Sequence, residues 1–387
     1  MRRDFEIPLT FRHRIVFERN VFGAESEVLE ELFEERGPAA RVVVLMEEGL
    51  RGFFPDLAER VEAKVREVEG LKWVGIHFLA GGEQCKVDER VYEQACDEIA
   101  GAGIDRHSYV FAIGGGAFLD VVGFAAATVH RGVRLVRFPT TTLSQDDSGV
   151  GVKCGINKYG KKNFLGAFAV PFAVVNDFDF LHSQPEGQRR EGLVEAVKVA
   201  LVKDGSFFDW IEDHVAGLSA LKPALLEEAV ERSAILHAEH IALGGDPFES
   251  GSSRPLDFGH WAAHKLEQLT NFRVSHAQAV AIGLSLDVLY SVKTGRLGKE
   301  EAERILGVLA GLKLTLWDEA LDWRSETGRL EVFAGLEEFR EHLGGRLTIL
   351  LLEGIGRGVE VNEMDDEVLE RCLSELKARE AGLLASA

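Results

Sequence analysis

Short apolar runs alternate with amphipathic segments through the first half of the chain. β-Branched and aromatic apolar runs occupy residues 41–46, 73–79, 109–113, 135–138 and 173–175. Between these runs, residues 56–68 and 91–100 repeat apolar side chains every three to four positions, the spacing of one helix face. Alternation of strand-like and helix-like segments predicts βαβ units and a largely parallel sheet.

The pattern changes near residue 185, where strand-like runs become rare. The helices predicted beyond this point are 191–203, 225–243, 258–269, 277–294 and 300–310. A chain of 387 residues is long enough for two domains. We therefore expect an α/β domain over residues 1–182 and an all-α domain over residues 183–387.

The net charge of −20 argues against nucleic acid and anionic membranes as partners, because both need a basic surface. The four cysteines, at 85, 96, 154 and 372, form no C-x-x-C pair, which favours a reduced, cytoplasmic setting. The first residues lack the apolar segment of a signal peptide. No uncharged apolar run reaches the ~18 residues that a membrane helix needs.

Three consecutive glycines, Gly114, Gly115 and Gly116, follow the apolar run 109–113. A buried strand that ends in glycines lets the backbone approach a ligand closely, and the N-terminus of the next helix attracts a phosphate. The loop matches neither the Rossmann G-x-G-x-x-G pattern nor a Walker A motif. A tight strand-to-helix turn without a ligand is the alternative.

A polar, glycine-bearing segment, residues 140–153, follows another predicted strand. Strand ends in α/β sheets are where ligands bind. Lys153, together with Lys162 and Asn163 further along, would suit a phosphate. A solvated loop is the alternative interpretation.

Histidines and a buried-looking carboxylate suggest a metal site in the second half. His260 and His264 stand one helical turn apart and share a face, and His276 and Glu195 offer further ligands. Glu195 and Lys198 stand three residues apart on an otherwise apolar helix, where buried charges indicate a site. A structural histidine pair and a surface ion pair are the respective alternatives.

Taken together, these motifs resemble those of the 3-dehydroquinate synthase family of sugar phosphate cyclases, over residues 80–355. The matching motifs are Glu83-Gln84-x-Lys86, Gly114-Gly115-Gly116-x-x-x-Asp120-x-x-Gly123, Arg131-Gly132, Pro139-Thr140-Thr141, Asp147-Ser148-x-Val150-Gly151-x-Lys153, Gly160-x-Lys162-Asn163 and Gly192-Leu193-x-Glu195-x-x-Lys198. The resemblance implies an N-terminal nucleotide-binding α/β domain, a helical metal-binding domain, a homodimer and a sugar phosphate substrate. It also implies NAD and a divalent metal, zinc or cobalt, as cofactors.

The resemblance assigns roles to individual residues. It makes Glu195, His260 and His276 the metal ligands and moves His264 to the substrate phosphate. Its NAD contacts are Glu47, Glu83, Lys86, Gly114, Gly115, Gly116, Asp120, Thr140, Thr141, Lys153, Lys162 and Phe180. Its substrate contacts are Arg131, Asp147, Lys162, Asn163, His237, Arg254 and His342. Its catalytic residues are Lys153, Lys198, His264, Glu249 and Asp257.

The chain departs from the family where 3-dehydroquinate synthase binds the carboxylate of its substrate. The family has a Lys, an Arg, an Asn and a late Lys there, and this chain has His237, Ser253 beside Arg254, Asp257 and His342. Each lost charge-assisted hydrogen bond removes roughly 1.5–3 kcal/mol. We therefore expect an uncarboxylated sugar phosphate such as sedoheptulose 7-phosphate, the substrate of valiolone-type cyclases.

A further likeness concerns the cyclase of the Ebo-type operons, which residues 244–249 and 254–264 resemble most. The family's H-G-E-A-V motif reads His276-Ala277-Gln278-Ala279-Val280 here, so an amide replaces a carboxylate.

Three other functions compete with this interpretation. 3-Dehydroquinate synthase itself would need Arg254 or another cation to take the carboxylate. A metal-dependent polyol dehydrogenase shares the Gly-Gly-Gly-x-x-x-Asp loop but should lack Lys153, Lys162 and Asn163. A cyclase that has lost activity and serves as a scaffold would not need an intact metal triad.

Overall fold

The computed structural model describes residues 2–34, 39–244, 246, 248, 255–342 and 345–386. The strands are β1 (Ile15–Glu18), β2 (Ala40–Glu47), β3 (Leu71–Leu79), β4 (Tyr109–Gly114), β5 (Arg134–Pro139), β6 (Lys153–Lys158), β7 (Lys161–Phe168), β8 (Ala173–Asp177), β9 (Ile349–Gly354) and β10 (Arg357–Val361). The helices are α1 (Val28–Leu32), α2 (Leu57–Glu67), α3 (Glu89–Gly101), α4 (Gly116–Thr128), α5 (Glu186–Lys203), α6 (Gly205–Ser219), α7 (Pro223–Leu243), α8 (His260–Leu269), α9 (His276–Lys293), α10 (Lys299–Gly311), α11 (Ala334–His342) and α12 (Asp366–Ser386). The chain divides into two compact units, Met1–Thr140 with Gly149–Ser183, and Thr141–Ser148 with Gln184–Ala387.

The first unit contains a six-stranded sheet in the order β1-β8-β5-β4-β2-β3, and every pairing in it is parallel. This confirms the predicted parallel α/β architecture. All six residues of β4 are buried, because parallel strands that are covered on both faces consist of continuous apolar runs.

The order of the strands creates a switch point between β2 and β4. The chain leaves β2 for β3 on one side and then returns to the other side of β2 as β4. Ligands of open α/β sheets bind at the carboxyl ends of the strands at such a point. Here those ends carry Glu47 and Gly114. A Cβ atom on Gly114 would lie 2.6 Å from Cδ1 of Phe118, so no larger residue fits without a shift.

The polar segment after β5, residues 140–153, is mostly buried rather than a solvated loop. It leads into β6 and β7, which form an antiparallel hairpin. The two turn residues, Tyr159 and Gly160, have φ values of 54° and 70°, as a two-residue hairpin turn requires. The sequence interpretation missed these strands because their exposed residues break the apolar alternation.

A buried arginine fixes the chain that enters this hairpin. Arg137 on β5 is fully buried, and its guanidinium donates to the carbonyl oxygens of Gly149, Gly151 and Lys153 at 3.1, 2.7 and 3.0 Å. Three carbonyl acceptors offset part of the cost of burying the cation. Arg137 therefore holds the backbone that presents Lys153.

The second unit is helical, as predicted. It also contains the antiparallel hairpin of β9 and β10, which the expectation of an all-α domain left out. Residues 141–148 belong to this unit although they precede the predicted boundary in sequence. Along α9, the residues from Ala279 to Ser291 are all buried, so this helix lies in the interior of the unit. Within the described residues, no helix combines the length and apolarity that a membrane span requires.

Candidate active site

Three ligand-type side chains of the second unit converge. Glu195 lies on α5, His260 is the first residue of α8 and His276 is the first residue of α9. One ligand atom from each side chain lies within 4.8 Å of the others, and His276 Nε2 is 3.8 Å from Glu195 Oε1. The structure thus brings together the three residues that the resemblance made metal ligands.

Hydrogen bonds at Nδ1 of each imidazole set its tautomer. The Nδ1–H of His260 donates to the carbonyl oxygen of Phe258 at 3.0 Å, and the Nδ1–H of His276 donates to Glu267 Oε2 at 3.0 Å. In each ring Nε2 is then the nitrogen that can bind a cation, as in carboxylate–histidine–metal arrangements. Burial, assisted by the charge of nearby Lys198, holds the pKa of His260 well below its ordinary value, which favours the neutral, metal-binding form.

These donors fit a divalent cation. Glu195 is only 1 % exposed, and among the described residues its Oε1 accepts no hydrogen bond. A buried polar atom of this kind needs a partner. One carboxylate and two neutral imidazoles are the ligand set of a catalytic zinc site with an open coordination position.

In a second group, His264, Glu267 and His276, one ligand atom from each side chain also lies within 4.8 Å of the others. Glu267 is already the hydrogen-bond acceptor of His276, so this group is better described as support for the first. His264 lies half-buried with its ring centroid 5.3 Å from that of His260. The ring centroids of His260 and His276 are 5.5 Å apart, so this separation does not distinguish His264 from a ligand. Its place beside the cation is what the resemblance implies.

A buried charge network adjoins the ligands. Lys198 Nζ lies 2.5 Å from Glu195 Oε2 and 3.5 Å from Asp147 Oδ1, and His237 Nδ1 lies 2.9 Å from the same Asp147 oxygen. Burial alone would lower the pKa of Lys198, but Asp147, Glu195 and Asp257 together raise it above its ordinary value. Burial would raise the pKa of Asp147, yet Lys198 and His237 hold it well below its usual range.

His237 therefore contacts a carboxylate of the protein. It replaces a lysine that, by resemblance, binds the substrate carboxylate in 3-dehydroquinate synthase. Asp257 adds negative charge near Lys198. Glu249 and Arg254 lie outside the described residues, as do Ser253 and the side chain of His342.

The expected NAD contacts of the first unit gather at the switch point. Glu47 Oε2 accepts a hydrogen bond from the Gly115 N–H at 2.8 Å. Lys86 Nζ lies 2.5 Å from Asp120 Oδ2. Burial opposes the charge of Lys86, but Asp120 and Glu83 outweigh burial and raise its pKa. An acidic residue at a strand end, a glycine turn and a following helix are the parts of a dinucleotide site.

Two other expected NAD contacts are less exposed. The backbone N–H of Thr140 donates to the carbonyl oxygen of Gly114 at 3.0 Å. The Phe180 side chain is 2 % exposed and packs against Phe22 and Phe54 in the core. Of Phe180, which is expected at the cofactor, only the backbone is therefore suited to touch it. Thr141, which was also expected to bind NAD, belongs to the second unit and bonds to Ser144.

The expected phosphate contacts of the first unit do not form one compact cluster. Lys153 begins β6, whereas Lys162 and Asn163 lie near the turn end of β7. Four positions along a strand correspond to roughly 13 Å. Arg131 is exposed and has a φ of 64°. The two ends of the hairpin therefore suit two different groups of a ligand, one near Lys153 and the other near Lys162 and Asn163.

Sequence reasoning missed the residues that support the ligands. Glu267 could have been found, because it stands three positions after His264 on the same face of α8. Asp146 was also missed, because no sequence pattern marks it as a buried residue. Its carboxyl is fully buried, neither oxygen has a hydrogen-bond partner among the described residues, and burial raises its pKa well above the ordinary value.

Asp287 on α9 is another residue that sequence reasoning missed. Its Oδ2 accepts from the Gly259 N–H at 3.1 Å and its Oδ1 accepts from the Trp261 indole N–H at 2.9 Å. It thereby holds the backbone before His260 and the indole side chain after it. Burial raises the pKa of Asp287 from 3.8 to about 7.

We predict that Asp287→Asn changes how stability depends on pH. A raised pKa contributes stability that is fully present below pH 3.8 and is lost as the pH rises to about 7. The free energy of unfolding of the wild type, relative to the variant, should therefore fall by about 1.4 kcal/mol per pH unit in this window. Urea unfolding of the metal-free protein, followed by tryptophan fluorescence, measures this difference. Asp213→Asn, at an exposed position on α6, is the matched control. A constant difference between Asp287→Asn and wild type across pH 4 to 7 would contradict the assignment.

Comparison with known protein families matches both parts of the chain to the same enzyme family. Residues 76–191 match the family described as 3-dehydroquinate synthase N-terminal, and residues 192–330 match 3-dehydroquinate synthase C-terminal. A 3-dehydroquinate synthase from Halorhodospira halophila is 35 % identical over 322 residues, which cover 83 % of this chain and 87 % of that protein.

Solved structures agree in fold. The 2-epi-5-epi-valiolone synthase from Streptomyces hygroscopicus subsp. jinggangensis, solved with NAD⁺ and Zn²⁺, has a TM-score of 0.86 at 26 % sequence identity. The match covers 97 % of this chain and 99 % of the synthase. A 2-deoxy-scyllo-inosose synthase has a TM-score of 0.74 at 21 % identity and covers 93 % of this chain and 96 % of its own, a likeness of fold alone.

Proposed function

Because the chain belongs to the 3-dehydroquinate synthase family, we propose that it cyclises a sugar phosphate without a carboxylate, such as sedoheptulose 7-phosphate, to a cyclitol. The overall change releases inorganic phosphate and forms one carbon–carbon bond by an intramolecular aldol step, with no net oxidation. Residues 1–182 are proposed as the NAD domain and residues 183–387 as the metal and substrate domain. A cytoplasmic homodimer is part of the proposal.

Glu195, His260 and His276 would hold the cation, and the β2–β4 switch point with Gly114, Gly115 and Glu47 would hold NAD. When bound, the cation would polarise a substrate hydroxyl and NAD would accept a hydride that it later returns. Zinc is the proposed metal, because it suits one carboxylate with two imidazoles, and it is the ion named for the valiolone synthase structure.

The side chains of the protein supply charge and proton handling. The Lys198 ammonium, whose pKa is raised by its carboxylate neighbours, stays charged and can stabilise a developing oxyanion. The carboxylate of Asp147 remains ionised, and His237 Nδ1 lies 2.9 Å from its Oδ1. Lys153 and Arg131 are the phosphate contacts proposed for the first unit, and His264 is the one proposed for the second.

The observation that supports an uncarboxylated substrate is the His237–Asp147 contact, with Asp257 nearby. A substrate carboxylate placed here would face the side chains of Asp147 and Asp257. The nearby Lys198 ammonium already lies against Glu195 and Asp147. Burying a carboxylate without cationic partners is strongly unfavourable. The alternative, 3-dehydroquinate synthase, is favoured by the names of the curated relatives.

Phosphate release separates these functions. We predict that the enzyme loaded with zinc and NAD releases phosphate from sedoheptulose 7-phosphate at least about tenfold faster than from the carboxylated heptulosonate phosphate, since one lost charge-assisted hydrogen bond is worth roughly that factor. His237→Lys supplies a cation at this position and should shift the preference toward the carboxylated substrate.

Each other outcome identifies a competing function. Faster turnover of the heptulosonate phosphate than of every uncarboxylated sugar phosphate would establish the alternative, 3-dehydroquinate synthase. Stoichiometric accumulation of NADH would indicate a polyol dehydrogenase. Absence of turnover across heptulose and hexose phosphates would favour a scaffold.

A further inference from the structure

Ser275, Gln278 and Glu191 form a hydrogen-bonded clasp between α5 and the start of α9. The Ser275 hydroxyl donates to Glu191 Oε2 at 3.0 Å, and the Gln278 Nε2 donates to Glu191 Oε1 at 2.8 Å. Both carboxylate oxygens of Glu191 are therefore bound by α9. Ser275, the N-cap of α9, and Gln278 also form a capping box. In it Gln278 Oε1 accepts from the Ser275 N–H at 3.2 Å, and Ser275 Oγ accepts from the Gln278 N–H at 3.2 Å.

The clasp lies directly beside two metal ligands. Glu191 stands one helical turn before Glu195 on α5, so both side chains point to the same side of that helix. Ser275 immediately precedes His276 at the start of α9. The clasp therefore joins the two helices at the level where one supplies the carboxylate ligand and the other supplies an imidazole ligand.

An amide at position 278 is the side chain that the clasp needs. The oxygen of Gln278 accepts from the helix start while its nitrogen donates to Glu191. A glutamate, which the resemblance places at this position in the family, could accept from Ser275 but could not donate. It would instead place a second carboxylate against Glu191, where like charges repel. Gln278 and Glu191 are thus a matched pair.

We propose that Gln278 and Glu191 are positioning residues of the metal centre, which set the separation of the Glu195 carboxylate and the His276 imidazole before a cation binds. This inference rests on the proposed function, because it takes Glu195 and His276 as ligands. Groups that orient metal ligands affect metal affinity about 10- to 100-fold in other proteins.

A charge-swap cycle tests the pairing in the full chain, stripped of metal. Zinc affinity is measured by competition with a chromophoric chelator for the wild type, Gln278→Glu, Glu191→Gln and the double variant. Gln278→Glu should weaken zinc binding about 10- to 100-fold. Glu191→Gln should weaken it about 3- to 10-fold, because a neutral acceptor forms weaker hydrogen bonds.

The double variant exchanges the two groups and can rebuild every hydrogen bond. The amide introduced at position 191 can donate to the carboxylate introduced at position 278 and can accept from the Ser275 hydroxyl. That carboxylate can in turn accept from the Ser275 N–H. The zinc affinity of the double variant should therefore return to within about threefold of the wild type, a strong positive coupling. Gln188→Glu, which places a new carboxylate at an exposed position on α5, is the matched control and should leave zinc affinity unaltered.

Several results would overturn the inference. Additive losses in the double variant would show that the two residues act independently. Unchanged zinc affinity in Gln278→Glu would show that Gln278 does not position the metal ligands. If Gln278→Glu does not fold, Gln278→Met keeps the test open: it removes both ends of the amide without adding charge, and wild-type zinc affinity in that variant contradicts the proposal. If Glu195→Gln leaves zinc affinity unaltered, the proposed metal centre itself is wrong. If Glu195→Gln weakens zinc binding but the Gln278 and Glu191 variants show no coupling, the metal centre stands and only the role of the clasp is wrong.

Discussion

Replacing Glu195 by glutamine is expected to reduce turnover by at least about 10³-fold, since the polarisation that a metal ion provides is worth several kcal/mol. Zinc affinity should fall by more than the roughly 100-fold seen when outer groups are changed. The amide keeps the size of the side chain but removes the only carboxylate of the ligand set. It also removes the carboxylate 2.5 Å from the Nζ of buried Lys198 and leaves Asp147 and Asp257 as the negative charges near it.

The measurement combines zinc content after dialysis, zinc affinity by chelator competition and phosphate release. Glu239→Gln, at an exposed position on α7, makes the same chemical change away from the ligands and should behave as the wild type. If zinc affinity and turnover in Glu195→Gln both stay within about threefold of wild type, Glu195 is not a ligand. A threefold change corresponds to roughly 0.65 kcal/mol, well below the several kcal/mol expected for this site.

The parallel sheet was predictable because its strands are buried on both faces. The apolar run 109–113 reads directly as β4, and the glycines after it locate the strand end that faces a ligand. The two hairpins were harder. Residues 153–168 alternate buried and exposed positions irregularly, and the run of leucines in β9 is equally typical of a helix.

At the candidate site, the residues with distinctive chemistry were predictable and their supports were not. Residue spacing alone paired His260 with His264. Only the resemblance replaced His264 by His276 in the set of metal ligands. Glu191 and Gln278 are ordinary helix residues in sequence. Their contact depends on how α5 packs against α9, which no local pattern encodes. The inclusion of residues 141–148 in the second unit is also a tertiary property, because a boundary drawn along the sequence cannot exclude an internal segment.

Lys198→Met is the second change with a large expected effect, because the ammonium is shared by buried Glu195 and half-buried Asp147. Lys198 is 2 % exposed and lies between Glu195 and Asp147. Removing one partner of a buried ion pair leaves uncompensated charge and costs about 3–5 kcal/mol. The free energy of unfolding of the metal-free variant should fall by about this amount.

Zinc should restore much of the lost stability but not the activity. In the variant, Glu195 no longer has an ammonium competing with a cation, so zinc should bind more tightly and raise the unfolding temperature more than it does in the wild type. Turnover should stay about 10²–10³-fold low, the usual cost of removing one group that stabilises an oxyanion. Thermal unfolding with and without zinc, together with phosphate release, measures both effects.

Lys203→Met, on the same helix but at an exposed position, is the matched control and should change neither quantity. The two readouts separate two roles of Lys198. Turnover that recovers together with zinc-restored stability would mean that the ammonium only balances charge in the metal-free protein. Stability that recovers while turnover stays low places Lys198 on the reacting oxygen, because a cation bound by Glu195, His260 and His276 replaces its charge but not its position.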